Sequence, residues 1–239
     1  MKHLLDSLKA DRGRLADVRA DDHGVPVPSC PEWDLRALLV HLGRVHRWAR
    51  LALDTPPDAE WPSFGAAPPA DTNIVEWLLE GLDDLIECLG SSDLDTPAWT
   101  FRGPGTRRFW LRRQALETAV HRWDAQQAAG AGPDVIEGLV AADGIDEWCE
   151  LEAARWFTPS PGLVAKVHLH ATDGDGEWII EVDESGLTWR RGHEKGDVAV
   201  RGPRSDLYLS LWNRLSLDSC EVIGDRRAAE RFLEAGAVN

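Results

Sequence analysis

The 239-residue sequence predicts a mixed α+β fold, in which a four-helix bundle precedes a smaller α+β domain with an antiparallel sheet. Apolar residues recur at helical spacing through most of residues 1–157. Short runs rich in β-branched and aromatic residues, ending in Gly or Asp, begin near residue 163. The segment "TPSPG", residues 158–162, lies where the pattern changes. We therefore expect two domains, at residues 1–157 and 163–239.

Four long amphipathic segments are predicted to be the helices of the first domain. The first runs from His3 to about Val18, and the second, "LRALLVHLGRVHRWARLAL", follows Asp34 as its N-cap. The third is "NIVEWLLEGLDDLIECL", with Asp71 or Thr72 as its cap, and the fourth is "LRRQALETAVHRWDAQQAA". Some of the loops between them are long and Pro-rich, which indicates a bundle with at least one crossover connection. A further helix, "VIEGLVAADGIDEWCELEAARWF", is predicted after these four.

The second domain begins with four predicted strands. Their sequences are "LVAKVHLHATD", "GEWIIEVDE", "GLTWRRG" and "GDVAVRG". Two helical segments, "RSDLYLSLWNRL" and "RRAAERFLEA", follow them. A meander of strands followed by helices predicts an α+β domain with an antiparallel sheet.

The charge balance argues against binding to nucleic acid. The chain has 26 Lys and Arg against 41 Asp and Glu, a formal net charge of −15, which opposes attraction to a phosphate backbone. The N-terminus has no continuous apolar stretch of signal-peptide or membrane-spanning length, so we expect a cytoplasmic protein without a membrane partner. The four cysteines are scattered singly and are expected to be reduced.

A carboxylate and an imidazole stand one helical turn apart in the fourth helix. Side chains four residues apart share a helix face, so Glu117 and His121 can point at one ion. A third ligand is available from the second helix, where His41 shares the inward face with Leu38 and Val45. Two histidines and one carboxylate suit Zn²⁺, Fe²⁺ or Ni²⁺ and leave coordination positions open for water or substrate. The alternatives to a metal site are that Glu117 and His121 form a solvated surface pair and that a histidine on an apolar face is a hydrogen-bonded core residue.

A rival metal site is the strand "VHLHATD". His168 and His170 alternate onto one strand face, with Asp173 nearby. Val167 and Leu169 occupy the opposite face, so the alternative is a strand with its apolar side on the core and both histidines toward solvent or the other domain. Phosphate-binding loops, dinucleotide fingerprints and nucleophile elbows are missing from the sequence, which leaves nucleotide and serine-hydrolase chemistry without support.

Several segments together resemble the mycothiol-dependent maleylpyruvate isomerase family, whose N-terminal half is similar to DinB-like metal-binding bundles. They are "PVPSCPEWDLRALLVHLGRVHRWA", "ALETAVHRWDAQ", "AADGIDEWCE", "VHLHATDGDGEWIIEV" and "VRGPRSDLYLSLWNRL". They occur in the family's order over nearly the whole chain. The resemblance implies that His41, Glu117 and His121 are metal ligands, with Zn²⁺ as the expected ion.

The resemblance also implies a mechanism and its small-molecule partners. Mycothiol would coordinate the metal and lose its proton, and the thiolate would add to a conjugated double bond of the substrate. Rotation about the resulting single bond and departure of the thiol would complete a cis–trans isomerisation of a maleylpyruvate-like acid. Other family members transfer the thiol to electrophiles. Two functions stand as alternatives: a non-catalytic protein that binds metal or a small ligand, and a metal-hydroxide hydrolase.

Two further residues receive roles at this point. Asp124, three residues after His121, is predicted either to orient that imidazole or to form a salt bridge with Arg113 or Arg122. Arg214 matches a position where the isomerases carry an arginine associated with activity, so the resemblance makes it the catalytic candidate. A guanidinium suits a dicarboxylate substrate through bidentate pairing. The alternative is a surface arginine in a charged segment. The sequence leaves the oligomeric state open.

Overall fold

A computed structural model of the chain describes residues 1–152 and 162–236. The chain divides into two compact units, Met1–Val135 and Ile136–Asn239. The first is helical and the second is α+β, so the predicted fold class is confirmed. Among the described residues, the helices are too short or too polar to span a membrane.

Four helices form a bundle in the first unit. They are α1 (Lys2–Ala16), α2 (Leu35–Leu53), α3 (Ile74–Ser91) and α4 (Arg107–Ala128). Both α1 and α2 pack against α3 and α4, so α1 and α2 occupy opposite corners of the bundle. The chain therefore crosses a diagonal between α1 and α2, as the predicted crossover connection requires.

Side-chain caps mark where α2 and α3 begin. The Asp34 carboxylate accepts a hydrogen bond from the Ala37 backbone N–H at 2.7 Å, as predicted for α2. The predicted cap of α3 was wrong, because Asn73 accepts from Val75 N–H at 3.2 Å. Asp71 has a left-handed backbone (φ 59°) two residues before Asn73. The helix therefore starts one residue later than the pattern suggested.

Two small hairpins that the sequence pattern presented as loops precede α2 and α4. Strands β1 (Pro26–Val27) and β2 (Cys30–Asp34) are antiparallel, as are β3 (Pro97–Ala98) and β4 (Gly105–Thr106). The second hairpin ends at Thr106, directly before α4, so α4 begins at Arg107, four residues before its predicted start at Leu111. Each hairpin holds the chain at the entrance to a helix.

The bundle interior is mainly apolar and also contains a buried ion pair between α4 and α1. The shared apolar core includes Leu8, Leu42, Leu78 and Leu116, each at most 1% exposed. Arg122 of α4 donates to Asp11 of α1 at 3.1 Å, and both side chains are almost fully buried. A buried ion pair is stable only when its geometry is good, so this contact fixes the rotation of α4 against α1.

The second unit begins earlier than the predicted domain. Helix α5 (Gly138–Glu147) continues into a π-helical turn at 148–152. It belongs to the second unit, although the sequence pattern placed it in the first domain. Its Gly144 lies directly against the ring of Tyr208, which ties α5 to the C-terminal unit. The predicted boundary at residues 158–162 falls outside the described residues except for Gly162 and stays a prediction.

The sheet of the second unit contains five strands in the described residues. They are β5 (Ala165–Ala171), β6 (Glu177–Asp183), β7 (Gly186–Arg191), β8 (Val198–Gly202) and β9 (Glu221–Gly224), in the order β7-β6-β5-β8-β9. The predicted antiparallel meander is confirmed for β5, β6 and β7. Strand β8 instead runs parallel to β5, because the chain crosses to the far side of β5 after β7. Strand β9 was not predicted.

Helices cover one face of this sheet. Helix α6 (Arg204–Leu211) and helix α7 (Arg226–Ala235) pack against β5 and β8. The strand residues on that face are buried and apolar, and they include Val167, Leu169, Trp178 and Ile180. The predicted helix "RSDLYLSLWNRL" ends at Leu211, since Asn213 adopts a left-handed conformation (φ 58°).

Candidate metal centre

Two adjacent helices of the bundle bring His41, Glu117 and His121 together. His41 Nε2 lies 3.1 Å from Glu117 Oε1, and His121 Nε2 lies 3.4 Å from the same oxygen. The two imidazole centroids are 5.2 Å apart. One ligand atom from each side chain lies within 4.8 Å of the others, which is close enough for all three to share one ion.

The helix positions explain this convergence. Glu117 and His121 lie one turn apart on α4, and α4 packs against α2, which carries His41. His121 is buried, whereas His41 and Glu117 are half-buried. The three groups therefore lie at the border of the core, partly sheltered from water and still reachable.

Asp124 orients the His121 ring. Its carboxylate is fully buried, and Oδ2 lies 2.9 Å from His121 Nδ1. The Ser29 hydroxyl donates to the other carboxylate oxygen at 2.6 Å. An Nδ1–H donated to Asp124 leaves Nε2 as the ring nitrogen that faces Glu117 and His41. Of the two roles predicted for Asp124, the structure therefore shows the contact that orients the His121 imidazole.

The two arginines considered as partners of Asp124 have carboxylate partners elsewhere. Arg113 forms a close ion pair with Glu117, and Arg122 binds Asp11. Arg113 is itself buried. A guanidinium beside Glu117 compensates the charge of a carboxylate that would be costly to bury alone.

Burial and hydrogen bonding shift the pKa values of the cluster in opposite directions. Burial alone would raise the pKa of Glu117, but Arg113 and the hydrogen bonds from His121 and His41 outweigh it and hold the pKa well below its usual value. Burial alone would lower the pKa of His121, yet Asp124 and Glu117 together raise it to about 9. Without a metal, the centre therefore pairs a carboxylate with an imidazolium at neutral pH.

Trp33 is a neighbour of the cluster that the sequence analysis did not assign. Its ring centroid lies 4.8 Å from that of His41 and 6.2 Å from that of His121. It belongs to β2, directly before the Asp34 cap of α2. The sequence signal for Trp33 was its place directly before the Asp34 helix cap and two residues after Pro31.

His46 is separate from the cluster although it lies on the same helix as His41. Its Nε2 lies 2.9 Å from the Thr118 hydroxyl, and the side chain is completely buried. Burial lowers its pKa to about 3, so the ring is neutral at physiological pH. Five residues along a helix correspond to a rotation of about 140°, so the His41 and His46 imidazoles face different ways.

The remaining predicted residues lie in the second unit. Arg214 follows α6, and its guanidinium donates to the Trp212 carbonyl at 2.8 Å. The imidazoles of His168 and His170 both contact the carboxylate of Glu177. Asp173 instead accepts a hydrogen bond from Arg204 at 3.1 Å. The structure thus brings together the three predicted ligands of the bundle, and the role of Arg214 stays a prediction.

Comparisons with known proteins cover most of the chain. Residues 4–126 match the family described as "Mycothiol maleylpyruvate isomerase N-terminal domain", and residues 140–231 match "MDMPI C-terminal domain". A crystal structure of the mycothiol-dependent maleylpyruvate isomerase is similar with a TM-score of 0.54 at 11% identity, covering 92% of each chain. A mutant of the mycothiol-dependent maleylpyruvate isomerase is similar with a TM-score of 0.58 at 12% identity, again covering 92% of each chain. No curated protein matches the sequence. At these identities the solved structures establish the shared fold.

Proposed function

Because the chain belongs to the mycothiol maleylpyruvate isomerase family, we propose that it is a metal-dependent enzyme that uses mycothiol as its thiol cofactor. Its reaction is the cis–trans isomerisation of a maleylpyruvate-like acid or the transfer of the thiol to an electrophile. The observation that carries this proposal is the convergence of His41, Glu117 and His121 within 4.8 Å.

The donor set fits a divalent cation. His41, Glu117 and His121 would hold it, and Asp124 already fixes the ring nitrogen that His121 presents. Two imidazoles and one carboxylate match catalytic zinc centres, which have three protein ligands and keep a position open. When bound there, the cation supplies the positive charge that deprotonates a coordinating thiol.

The surrounding side chains have tasks of their own. Arg113 compensates the charge of Glu117 and holds this carboxylate in the ionised form that a cation requires. Trp33 lies against the His41 ring and shields that side of the centre from water. The proposed task of Arg214 is to hold a carboxylate of an anionic substrate, because its planar guanidinium matches carboxylate geometry.

A turnover assay tests the proposal. Metal-loaded protein is incubated with maleylpyruvate and a panel of electrophiles, with and without mycothiol, beside a His121→Ala variant and a His46→Gln control. We expect turnover that requires mycothiol, is lost in His121→Ala and persists in His46→Gln. Turnover without a thiol would support a hydrolase instead. Metal binding without turnover of any compound in the panel would support a non-catalytic binding protein.

A further inference from the structure

A second cluster of metal-ligating side chains lies on the sheet of the C-terminal unit. It consists of His168 and His170 on β5, Glu177 at the start of β6, and His193 two residues after β7. One ligand atom from each lies within 4.8 Å of the others. The cluster shares no residue with the centre of the helical bundle.

Sheet register assembles this cluster. His170 pairs directly with Glu177 across β5 and β6, and His168 lies two residues away on the same face. Gly192 donates its N–H to the Glu177 carbonyl at 3.1 Å and has a φ of 149°, which side-chain-bearing residues rarely adopt. This glycine directs the chain so that His193 returns over the carboxylate.

Three imidazoles point a ring nitrogen at one carboxylate. His168 Nε2 lies 2.9 Å and His193 Nδ1 lies 2.5 Å from Glu177 Oε2, and His170 Nδ1 lies 3.4 Å from Oε1. The imidazole centroids are 5.2, 5.7 and 6.3 Å apart, with the rings nearly perpendicular to one another. The donors thus approach a common point from different directions, as ligands of one ion do.

These distances are close to those of a zinc site. With Zn–N and Zn–O bonds of about 2.0–2.1 Å, ligand atoms at the corners of a tetrahedron are roughly 3.3 Å apart. The three contacts to Glu177 range from 2.5 to 3.4 Å, so small side-chain movements suffice to admit an ion. Imidazole-rich donors select transition metals over Ca²⁺ and Mg²⁺.

The basic side chains of Lys166 and Arg190, on the same face of the sheet, have carboxylate partners other than Glu177. Lys166 binds Glu181 and Glu194, and Arg190 contacts the same two carboxylates. The contacts of Glu177 described above, in contrast, are all to imidazoles. A carboxylate surrounded by three imidazole nitrogens is a donor set that a divalent cation completes.

We propose that His168, His170, Glu177 and His193 form a second divalent-metal site of the zinc class. Four protein ligands make it a closed, structural site, in contrast to the three-ligand centre of the bundle. The ion joins β5 and β6 to the segment after β7, and it stabilises the C-terminal unit. Entry is from the side of His193, whose side chain is 76% exposed, whereas His168 is buried.

Zinc stoichiometry tests this site in the full-length chain. In a His41→Ala/His121→Ala background, which lacks the first centre, we expect about one tightly held Zn²⁺ per chain after dialysis, by elemental analysis. Adding His170→Ala/His193→Ala should remove this ion, whereas Glu181→Gln, on the same strand face as Glu177, should keep it. These two histidines are chosen because they are the more exposed ones, so the fold should tolerate their truncation.

A second measurement uses the otherwise unchanged protein. His170→Ala/His193→Ala should lower the zinc content from about two ions per chain to one. The variant should also show a smaller rise in melting temperature on zinc addition than the unaltered protein, because the contribution of this site is lost. An unchanged zinc content in this variant, or no bound ion in the His41→Ala/His121→Ala background, would overturn the second site. Neither outcome bears on mycothiol-dependent turnover, so the two proposals fail separately.

Discussion

The Asp124 carboxylate lies 2.9 Å from Nδ1 of His121, one helical turn away on the same helix. Replacing Asp124 with Asn should weaken binding of the first metal ion about 10- to 100-fold, because an amide no longer fixes and polarises the imidazole. Chelator competition measures the change. Ser29→Ala removes a hydrogen bond to the same carboxylate and should have a smaller effect of the same sign. Equal affinity in Asp124→Asn and the unaltered protein would contradict the orienting role.

Truncation of either bundle histidine should remove the first ion. His41→Ala and His121→Ala are each expected to lose about one ion per chain after dialysis, since two remaining ligands compete poorly with water and chelator. His46→Gln is the matched control, because His46 lies on the same helix as His41 but contacts Thr118. Full occupancy in His121→Ala would rule out the assigned ligand set.

Arg214 should affect turnover and spare thiol binding. In cobalt-substituted protein, mycothiol should produce an intense sulfur-to-cobalt charge-transfer band, and Arg214→Ala should leave this band unchanged while lowering activity on maleylpyruvate-like acids. The reason is that its contact to a carboxylate forms only when the substrate arrives. Arg226→Ala, which removes a surface ion pair with Asp218, should change neither quantity. Loss of the band in Arg214→Ala would place this arginine in thiol binding instead.

His46 should make stability depend on pH in the acid range. The pKa of His46 is about 3 in the folded protein, whereas a solvent-exposed histidine of the unfolded chain has its ordinary pKa of 6.5. The unfolded state therefore takes up a proton first, so this contribution is complete above pH 6.5 and is lost as the pH falls toward 3. The free energy of unfolding should fall by up to about 1.4 kcal/mol per pH unit from this residue. The free energy of unfolding of metal-free protein, measured with urea at several pH values, should depend less steeply on pH in His46→Gln than in the unaltered protein. The same pH dependence in both proteins would contradict the assignment.

Gly43 is a packing constraint between α2 and α3. A Cβ atom at this position would lie 2.1 Å from the ring of Trp77. Gly43→Ala should therefore destabilise the bundle by about 1–3 kcal/mol, because the indole has to shift within a packed core. Gly13→Ala is the control, since a Cβ there meets no atom within 4 Å. Similar midpoints of urea unfolding for the two variants would contradict this interpretation.

The helical core and the shared helix face of Glu117 and His121 could be predicted from the sequence because both depend on local spacing. The N-cap at Asp34 and the four-residue interval between Glu117 and His121 are properties of a single helix. His41 was found because its neighbours marked the inward face of α2. The packing of inward faces in a bundle then suggested that the two helices contribute to one site, and the family resemblance implied the same three residues.

Features that depend on tertiary placement were missed. Trp33 lies near the cluster because β2 belongs to the β1–β2 hairpin. This hairpin could not be predicted, since a strand of two residues such as β1 is too short to show a periodic pattern. His193 lies 23 residues after His170, and only the strand register brings it to Glu177. The parallel pairing of β8 with β5 likewise follows from a crossover that the strand pattern does not encode.

The diagonal connections of the bundle have a kinetic consequence. His41 and Glu117 are separated by 76 residues, so the two halves of the first centre meet only after α2 and α4 have packed. Contacts of such long sequence separation form late in folding, because closing the intervening chain is entropically costly. We therefore expect a cation bound by both helices to slow unfolding and to leave the refolding rate nearly unchanged.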